Sequence, residues 1–257
     1  MIFESHAHYE DQQFDEDRDA LLAGFKDHGI GYVVNVASSM ETTEKSLALA
    51  KKYPWMYASV GVHPSDTEEL NEENMQKLKS ACGHEKCVAV GEIGLDYYWD
   101  KEPEVRQRQR YWFERQIDLA REMKLPMIIH SRDAAKDTLD IIQKKHGEEI
   151  GGVIHCFSNS LEFAKIYVDM GFYIGIGGVV TFKNSKVLKE VAAWTPLERI
   201  LLETDCPYLA PVPNRGKRNS SLNLPYVAET IAQLKGISSD EVIRATCENA
   251  KRMYGIK

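Results

Sequence analysis

The amino-acid sequence predicts an α/β protein built as a closed (β/α)8, or TIM, barrel with additional C-terminal helices. Three observations point there. Eight short runs rich in apolar and β-branched residues alternate with helical patterns, an order that implies parallel strands joined by right-handed crossovers. The chain has 257 residues, close to the roughly 250 of a typical single barrel. No G-x-G-x-x-G or P-loop sequence supports the runner-up arrangement, an open doubly wound sheet around a nucleotide. With no linker, low-complexity run or internal repeat, residues 1–257 are read as one barrel domain.

The strand candidates are residues 1–4, 32–36, 57–60, 88–91, 127–129, 153–154, 172–176 and 200–202. Helical patterns between them carry stop signals with a steric cause: 18–28 is closed by Gly29, 42–53 is followed by Pro54, 74–82 is closed by Gly83, and 104–124 precedes Pro126. After the eighth strand comes a polar loop, 211–224, and then two helices, 226–235 and 240–254. Ser238 and Glu241 have the spacing of a capping box opening the last one.

Composition narrows the function classes. Hydrophobic and charged fractions of 43% and 28% suit a soluble globular protein, and no apolar run approaches the roughly 20 residues that cross a bilayer. The start of the chain lacks a basic-then-apolar leader pattern, so a cytoplasmic protein is expected. Cys82, Cys87, Cys156, Cys206 and Cys247 are odd in number and form no C-x-x-C pair, which argues against a disulfide framework and a cysteine zinc site. A net charge of −7 excludes a broad basic surface that coats nucleic acid, so any such contact must be local.

In a barrel of this kind chemistry is built from the C-terminal ends of the strands. His6 and His8 end strand one, and strand alternation turns both imidazoles to one face with Ala7 on the other. Glu92 ends strand four, His130 strand five, His155 strand six and Asp205 strand eight. Alone, each has a plainer reading: a surface pair, a hydrogen-bonded core histidine, a helix cap. Together, four imidazoles and two carboxylates at one end of one barrel form a nitrogen and oxygen set suited to Zn²⁺, Mn²⁺ or similar ions. Six ligands exceed what one catalytic zinc takes, so two metals sharing a bridging carboxylate are inferred. If the strands persist, Cys156 and Cys206 point away from their neighbouring ligands, and neither is expected to be a nucleophile.

The motifs Ser5-His-Ala-His8, Gly61-Val-His-Pro64, Gly91-Glu-Ile-Gly-Leu-Asp-Tyr-Tyr98, Leu125-Pro-Met-Ile-Ile-His-Ser-Arg132, His155-Cys-Phe-Ser158, Glu203-Thr-Asp-Cys-Pro-Tyr-Leu209 and Arg215-Gly-Lys-Arg-Asn219 resemble, in order, those of TatD-family metal-dependent deoxyribonucleases. The resemblance runs from residue 3 to Asn249-Ala-Lys-Arg-Met-Tyr254. It implies that His6, His8, Glu92 and Asp205 hold one divalent ion (Mg²⁺, Mn²⁺ or Zn²⁺), and that Glu92 bridges to a second held by His130 and His155. It further implies a water shared by the metals as nucleophile, Asp205 as its proton acceptor, and Glu203 as an inward-facing support for the ligands. Two departures stand out. Position 4 is Glu4 where the family more often has Asp, so support of the first histidine pair is expected to differ. After Asn219 the chain reads Ser220-Ser-Leu-Asn-Leu-Pro225 where relatives pass quickly to an acidic residue and proline, so the rim of the substrate groove is expected to differ.

A polyanionic substrate calls for local positive charge. Arg132 lies two residues past His130, and Arg215, Lys217 and Arg218 sit in the loop after strand eight, placed to grip a backbone phosphate. His63, after strand three, is a candidate phosphate or sugar contact. Tyr97, Tyr98, Trp99, Phe157 and Tyr208 also follow strand ends; packing under loops is expected ahead of base stacking. Arg106, Arg108, Arg110 and Arg115 are read as a solvated helix face. The expected activity is a DNA phosphodiesterase, a 3′–5′ exonuclease on single strands. Its rivals are a hydrolase of an aminoacyl ester, amide or lactone using the same dinuclear site, and a non-catalytic metal-bound barrel. The basic loop, and the lack of a strand-four lysine for a carbamate bridge, favour phosphate.

Overall fold

The computed structural model describes residues 1–257. Eight strands form one parallel sheet in chain order: β1 Ile2–Ala7, β2 Ile30–Asn35, β3 Met56–Val60, β4 Cys87–Asp96, β5 Met127–Arg132, β6 Gly152–Ile154, β7 Tyr173–Ile176 and β8 Ile200–Leu202. Every strand expected from the apolar runs is present. The helices are α1 Arg18–Ala23, α2 Met40–Lys52, α3 Glu72–Cys82, α4 Pro103–Met123, α5 Ala135–Lys144, α6 Leu161–Asp169, α7 Lys186–Trp194, α8 Leu224–Lys235 and α9 Ser239–Tyr254. None is long and apolar enough to cross a membrane. The first helical pattern, expected to run unbroken through 18–28, divides at Gly24 into α1 and a 3-10 turn over Phe25–His28, as a weak helix former allows. Of the capping box at α9, the Ser238 hydroxyl does accept the Glu241 N–H.

Alternation along the strands divides the core in two. Phe3, Val34, Val88, Ile128, Val153, Tyr173 and Leu201 fill the barrel, and Cys247, Ala250 and Tyr254 of α9 pack against them. Ile2, Val33, Met127, Ile129, Ile154, Ile174 and Ile200 face the helix layer instead. Helix α9 is tied to the strand starts through Asn249, whose amide donates to Leu197 O at 2.8 Å and Ile200 O at 2.9 Å. With the strand starts covered by α9, the strand ends form the open mouth.

The barrel closes between β1 and β8 with little strand pairing. Ala7 and Cys206 form one parallel bridge, flanked by Asp205 N–H to His6 O at 3.0 Å and His8 N–H to Cys206 O at 2.9 Å. Side chains of β1 add the rest: the Ser5 hydroxyl donates to Leu202 O at 2.9 Å, and the Glu4 carboxylate gathers four donors. Its Oε1 accepts the N–H groups of His6 (3.1 Å) and Thr204 (2.9 Å), and its Oε2 accepts the hydroxyls of Thr204 (2.7 Å) and Ser221 (2.9 Å). Along β1 the step from Glu4 to Ala7 matches the shorter step from Val33 to Asn35 on β2. This bulge switches the inward face from Phe3 to His6 and His8.

Candidate metal centre

Four imidazoles and two carboxylates converge at the mouth, and for three of the histidines the nitrogen turned inward follows from what holds the other one. His8 Nδ1 lies 2.8 Å from Val36 O, an acceptor only, so Nδ1 carries the proton and the Nε2 lone pair points in. His130 Nε2 lies 3.0 Å from Asp96 Oδ2, which leaves Nδ1 facing Glu92 Oε1 at 2.7 Å. His155 Nδ1 lies 3.1 Å from Glu203 Oε2, which leaves Nε2 facing the mouth. His6 completes the set; its ring stacks on His155 with centroids 3.4 Å apart, and its Nδ1 is buried without a partner.

These atoms fall into two groups around Glu92. On one side His6 Nε2 and His8 Nε2 are 3.1 Å apart, His6 Nε2 is 3.5 Å from Glu92 Oε2, and His8 Nε2 is 3.3 Å from Asp205 Oδ1. Ligand atoms about 2.1 Å from a tetrahedral ion sit roughly 3.4 Å from one another, so this spacing fits a small divalent cation. Without an ion, a proton on one of these two nitrogens would bridge them as a hydrogen bond; a cation would take that proton's place. On the other side Glu92 Oε1 faces His130 Nδ1 at 2.7 Å, and His155 Nε2 lies between the groups, 3.9 Å from Glu92 Oε1 and 3.7 Å from Asp205 Oδ1. The donor set therefore fits metal on both faces of one carboxylate.

Local sequence explains the geometry. Strand β4 runs five residues beyond its expected end at 91, so Glu92 and Asp96 lie two strand periods apart. Gly94 makes that extension possible, because a Cβ there would lie 2.0 Å from His130 O. A Cβ on Gly175 of β7 would likewise lie 2.5 Å from Glu203 Oε2, so this glycine leaves room for the carboxylate behind His155. Asp205 is held at φ 57, a left-handed conformation costly for a residue with a side chain. The bond from its own N–H to His6 O, and its carbonyl accepting Tyr208 N–H at 2.9 Å, hold it there.

Charge balance cuts across this division: burial opposes charge on His8, but Asp205 and Glu10 raise its pKa well above the ordinary value, while burial and the neighbouring His155 lower that of His6. Burial disfavours a charge on His130, but its hydrogen bonds to Asp96 and Glu92 outweigh this and raise its pKa to about 9. Burial opposes charge on His155 too, yet Glu203, with Glu92 and Asp205 beyond, raises it to about 9. Burial works against ionisation of Glu92, and the His130 and His6 contacts override it, holding the carboxyl well below its usual range. Without metal, protons on histidines thus balance the buried carboxylates.

Other expected residues are sorted by their neighbours. His63 sits in the mouth, but Ser65 N–H donates to its Nδ1 at 3.2 Å, so its proton lies on Nε2, 3.9 Å from Glu92 Oε1. It is a donor facing the centre; burial and the nearby His130 lower its pKa to about 3. Arg132 is stacked 4.0 Å over the Tyr98 ring. Arg215 lies 4.4 Å over Phe182. Arg218, expected at the substrate, is engaged elsewhere: it pairs with Asp17 and donates to Gln13 O. Lys217 is exposed in the same turn. Arg106, Arg108, Arg110 and Arg115 are not a free solvated face; they hold Asp100 O, Glu68, the Tyr97 hydroxyl and Glu72. Cys156 departs from its expected direction, because β6 stops at Ile154 and Cys156 takes φ 44, which brings its sulfur within 4.8 Å of ligand atoms of His155 and Asp205. Cys206 is fully buried. Asp96 was not anticipated; its signal was the even spacing from Glu92 along one strand.

A family model described as TatD related DNase matches residues 3–255. The chain belongs to the TatD family. Among TatD-like relatives, the Bacillus subtilis uncharacterized metal-dependent hydrolase YabD is 43% identical over 256 residues, spanning all of both chains. The Escherichia coli K12 uncharacterized metal-dependent hydrolase YcfH is 36% identical over 259 residues, covering 100% of this chain and 96% of its own. The crystal structure of the TatD homolog YjjV from Escherichia coli K12 superposes with a TM-score of 0.92 at 31% identity, covering 100% and 98% of the two chains. The protein is accordingly a metal-dependent hydrolase of the TatD family, with a matching barrel. Glu4 and the stretch after Asn219, both singled out in the sequence, touch each other: Glu4 reaches across the β1–β8 seam to Ser221.

Proposed function

We propose that the protein hydrolyses phosphodiester bonds of DNA, acting from the 3′ end of single strands. The observation that carries this reading is a buried carboxylate, Glu92, with inward-facing histidine nitrogens around it, and Arg132, two residues past His130 at the end of β5, with no carboxylate pairing it. His6, His8, Glu92 and Asp205 would hold one divalent ion, and Glu92, His130 and His155 a second. Such ions, when bound, neutralise charge on phosphate oxygens and lower the pKa of an attacking water.

The chain's own groups supply the remainder. Asp205 is the more accessible of the two carboxylates, with its side chain 20% exposed against 5% for Glu92, so its free Oδ2 is placed to take a proton from an incoming water. His63 offers its Nε2–H toward the same space. Arg132 supplies a guanidinium for a non-bridging phosphate oxygen, and Arg215 and Lys217 extend positive charge along the rim.

The test is incubation with 3′-labelled single-stranded and duplex DNA in Mg²⁺, Mn²⁺ or Zn²⁺, with EDTA and Glu92→Gln as controls. Stepwise loss of 3′ nucleotides from single strands, abolished by both controls, is expected. Turnover of an aminoacyl ester or a lactone, with no DNA cleaved under any metal, would replace the phosphodiester reading with a carbonyl one.

A further inference from the structure

We propose that Tyr98, Trp99 and Arg132 form a subsite that stacks an unpaired nucleobase next to the phosphate at the metal centre. This rests on the nuclease reading above and adds what the enzyme grips besides phosphate. The loop after β4 carries three aromatic residues in a row, and the first serves the scaffold. The Tyr97 hydroxyl donates to Asp137 at 2.7 Å and accepts from Arg110 at 3.0 Å, with the Arg106 guanidinium 4.5 Å over its ring. The next two are turned outward. Tyr98 is 43% and Trp99 65% exposed, although each is large enough to have packed under the loop as expected.

Exposure alone assigns no occupant; four further features do. Tyr98 and Trp99 meet edge to face with centroids 4.7 Å apart, and Trp99, the more exposed of the two, is the ring offered to a base. The Arg132 guanidinium lies 4.0 Å from the Tyr98 centroid and 5.5 Å from that of Trp99, joining a cation to the aromatic surface. A hollow of about 410 Å³ opens beside the rings, bounded also by Asp100, Lys101, Glu102 and Val105. That volume suits a nucleoside-sized group, and its wall carries two carboxylates, Asp100 and Glu102, against the one ammonium of Lys101, a balance that favours an uncharged base over a second phosphate. Finally, the platform is tied to the metal centre by one residue. Asp96 Oδ2 holds His130, while Asp96 Oδ1 accepts the N–H groups of Tyr98 and Trp99, each at 3.0 Å. The base-binding surface and the histidine that would hold a metal therefore share a carboxylate.

The experiment compares kcat/KM in Mn²⁺ for a short oligothymidylate and for the same strand with abasic residues at its 3′ end. Wild type should prefer the base-bearing strand by about tenfold, the scale of one base–aromatic stack. In Trp99→Ala that ratio should fall to about one, and in Trp99→Phe it should largely return. Trp99 is exposed, so both variants should keep the wild-type circular dichroism spectrum and metal content. A wild-type ratio of one, or a ratio unchanged in Trp99→Ala, overturns the subsite while leaving the nuclease reading intact. If neither strand is cleaved in any metal, the nuclease reading fails and the subsite is judged by fluorescence anisotropy. Equal affinity of wild type for the two labelled strands then overturns it. Dimers of wild type lost in Trp99→Ala, without base discrimination, would also overturn it by making the patch a self-contact.

Discussion

The two sides of Glu92 look alike as ligand sets and are held in different ways. His6, His8 and Asp205 depend mainly on backbone: a Val36 carbonyl at 2.8 Å behind His8 with Glu10 farther off at 3.6 Å, a left-handed turn at Asp205, and the β1–β8 seam. His130 and His155 depend on side chains, each backed by its own carboxylate, Asp96 or Glu203. A carbonyl fixes a tautomer without adding charge, whereas a carboxylate fixes it and also makes the imidazole more basic. His8 also has carboxylates near it, Glu10 and Asp205, so both sides hold protons when no ion is bound; the second side differs in that one carboxylate backs each histidine, so its affinity can be tuned by single side chains.

The strongest way to break this contrast is to remove what both sides share. Glu92→Gln should lower hydrolysis by on the order of 10³-fold or more and reduce bound metal on both sides, read by elemental analysis. Next come variants that should separate the sides. His6→Ala should lose mainly the first ion and His130→Ala mainly the second; two ions retained at full occupancy in His6→Ala would mean that the opening pair is no ligand. A smaller effect is expected from the supports. Asp96→Asn and Glu203→Gln should weaken binding of the second ion roughly 10- to 100-fold and leave the first unchanged in a metal titration. Equal losses at both ions would erase the distinction between the sides.

The smallest effect is a pH dependence. His130 and His155 have pKa values raised to about 9 from the reference 6.5. Stability from their carboxylate pairs is fully present below the unfolded value and is lost as pH rises through the folded one. Metal-free protein should therefore melt at lower temperature near pH 9.5 than near pH 6, by roughly 5 °C. Metal affinity should rise over the same window as the competing protons leave. A melting temperature of the EDTA-treated protein that is flat from pH 6 to 9.5 would remove the carboxylate pairs from the account.

The strands and the ligand candidates were legible because both rest on local pattern. Apolar runs mark the strands, and a polar residue ending such a run marks the mouth. Asp96 was not legible, because Ile93 and Leu95 continue a strand whose end had been placed at 91, and only Gly94 allows β4 to pass so close to His130. The direction of Cys156 was misread for the converse reason, a strand that stops early. Arg218 could not be sorted from Arg215 in sequence, since its partner Asp17 lies some 200 residues away. The meeting of Glu4 with Ser221 was likewise out of reach: each was visible as a departure, but their contact is a product of closure.

That closure has a consequence in time. His6 and His8 leave the ribosome early in synthesis, whereas Thr204, Asp205 and Ser221 follow almost 200 residues later. At roughly 5–20 residues per second this is a delay of about 10–40 s. During it Glu92, His130 and His155 have already been made, while the first histidine pair lacks Asp205 and the groups beyond the seam that Glu4 grips. A nascent chain stalled before residue 204 therefore lacks a complete first ligand set. The last tooth of the seam is a side chain, and it makes finished synthesis a condition for a finished site.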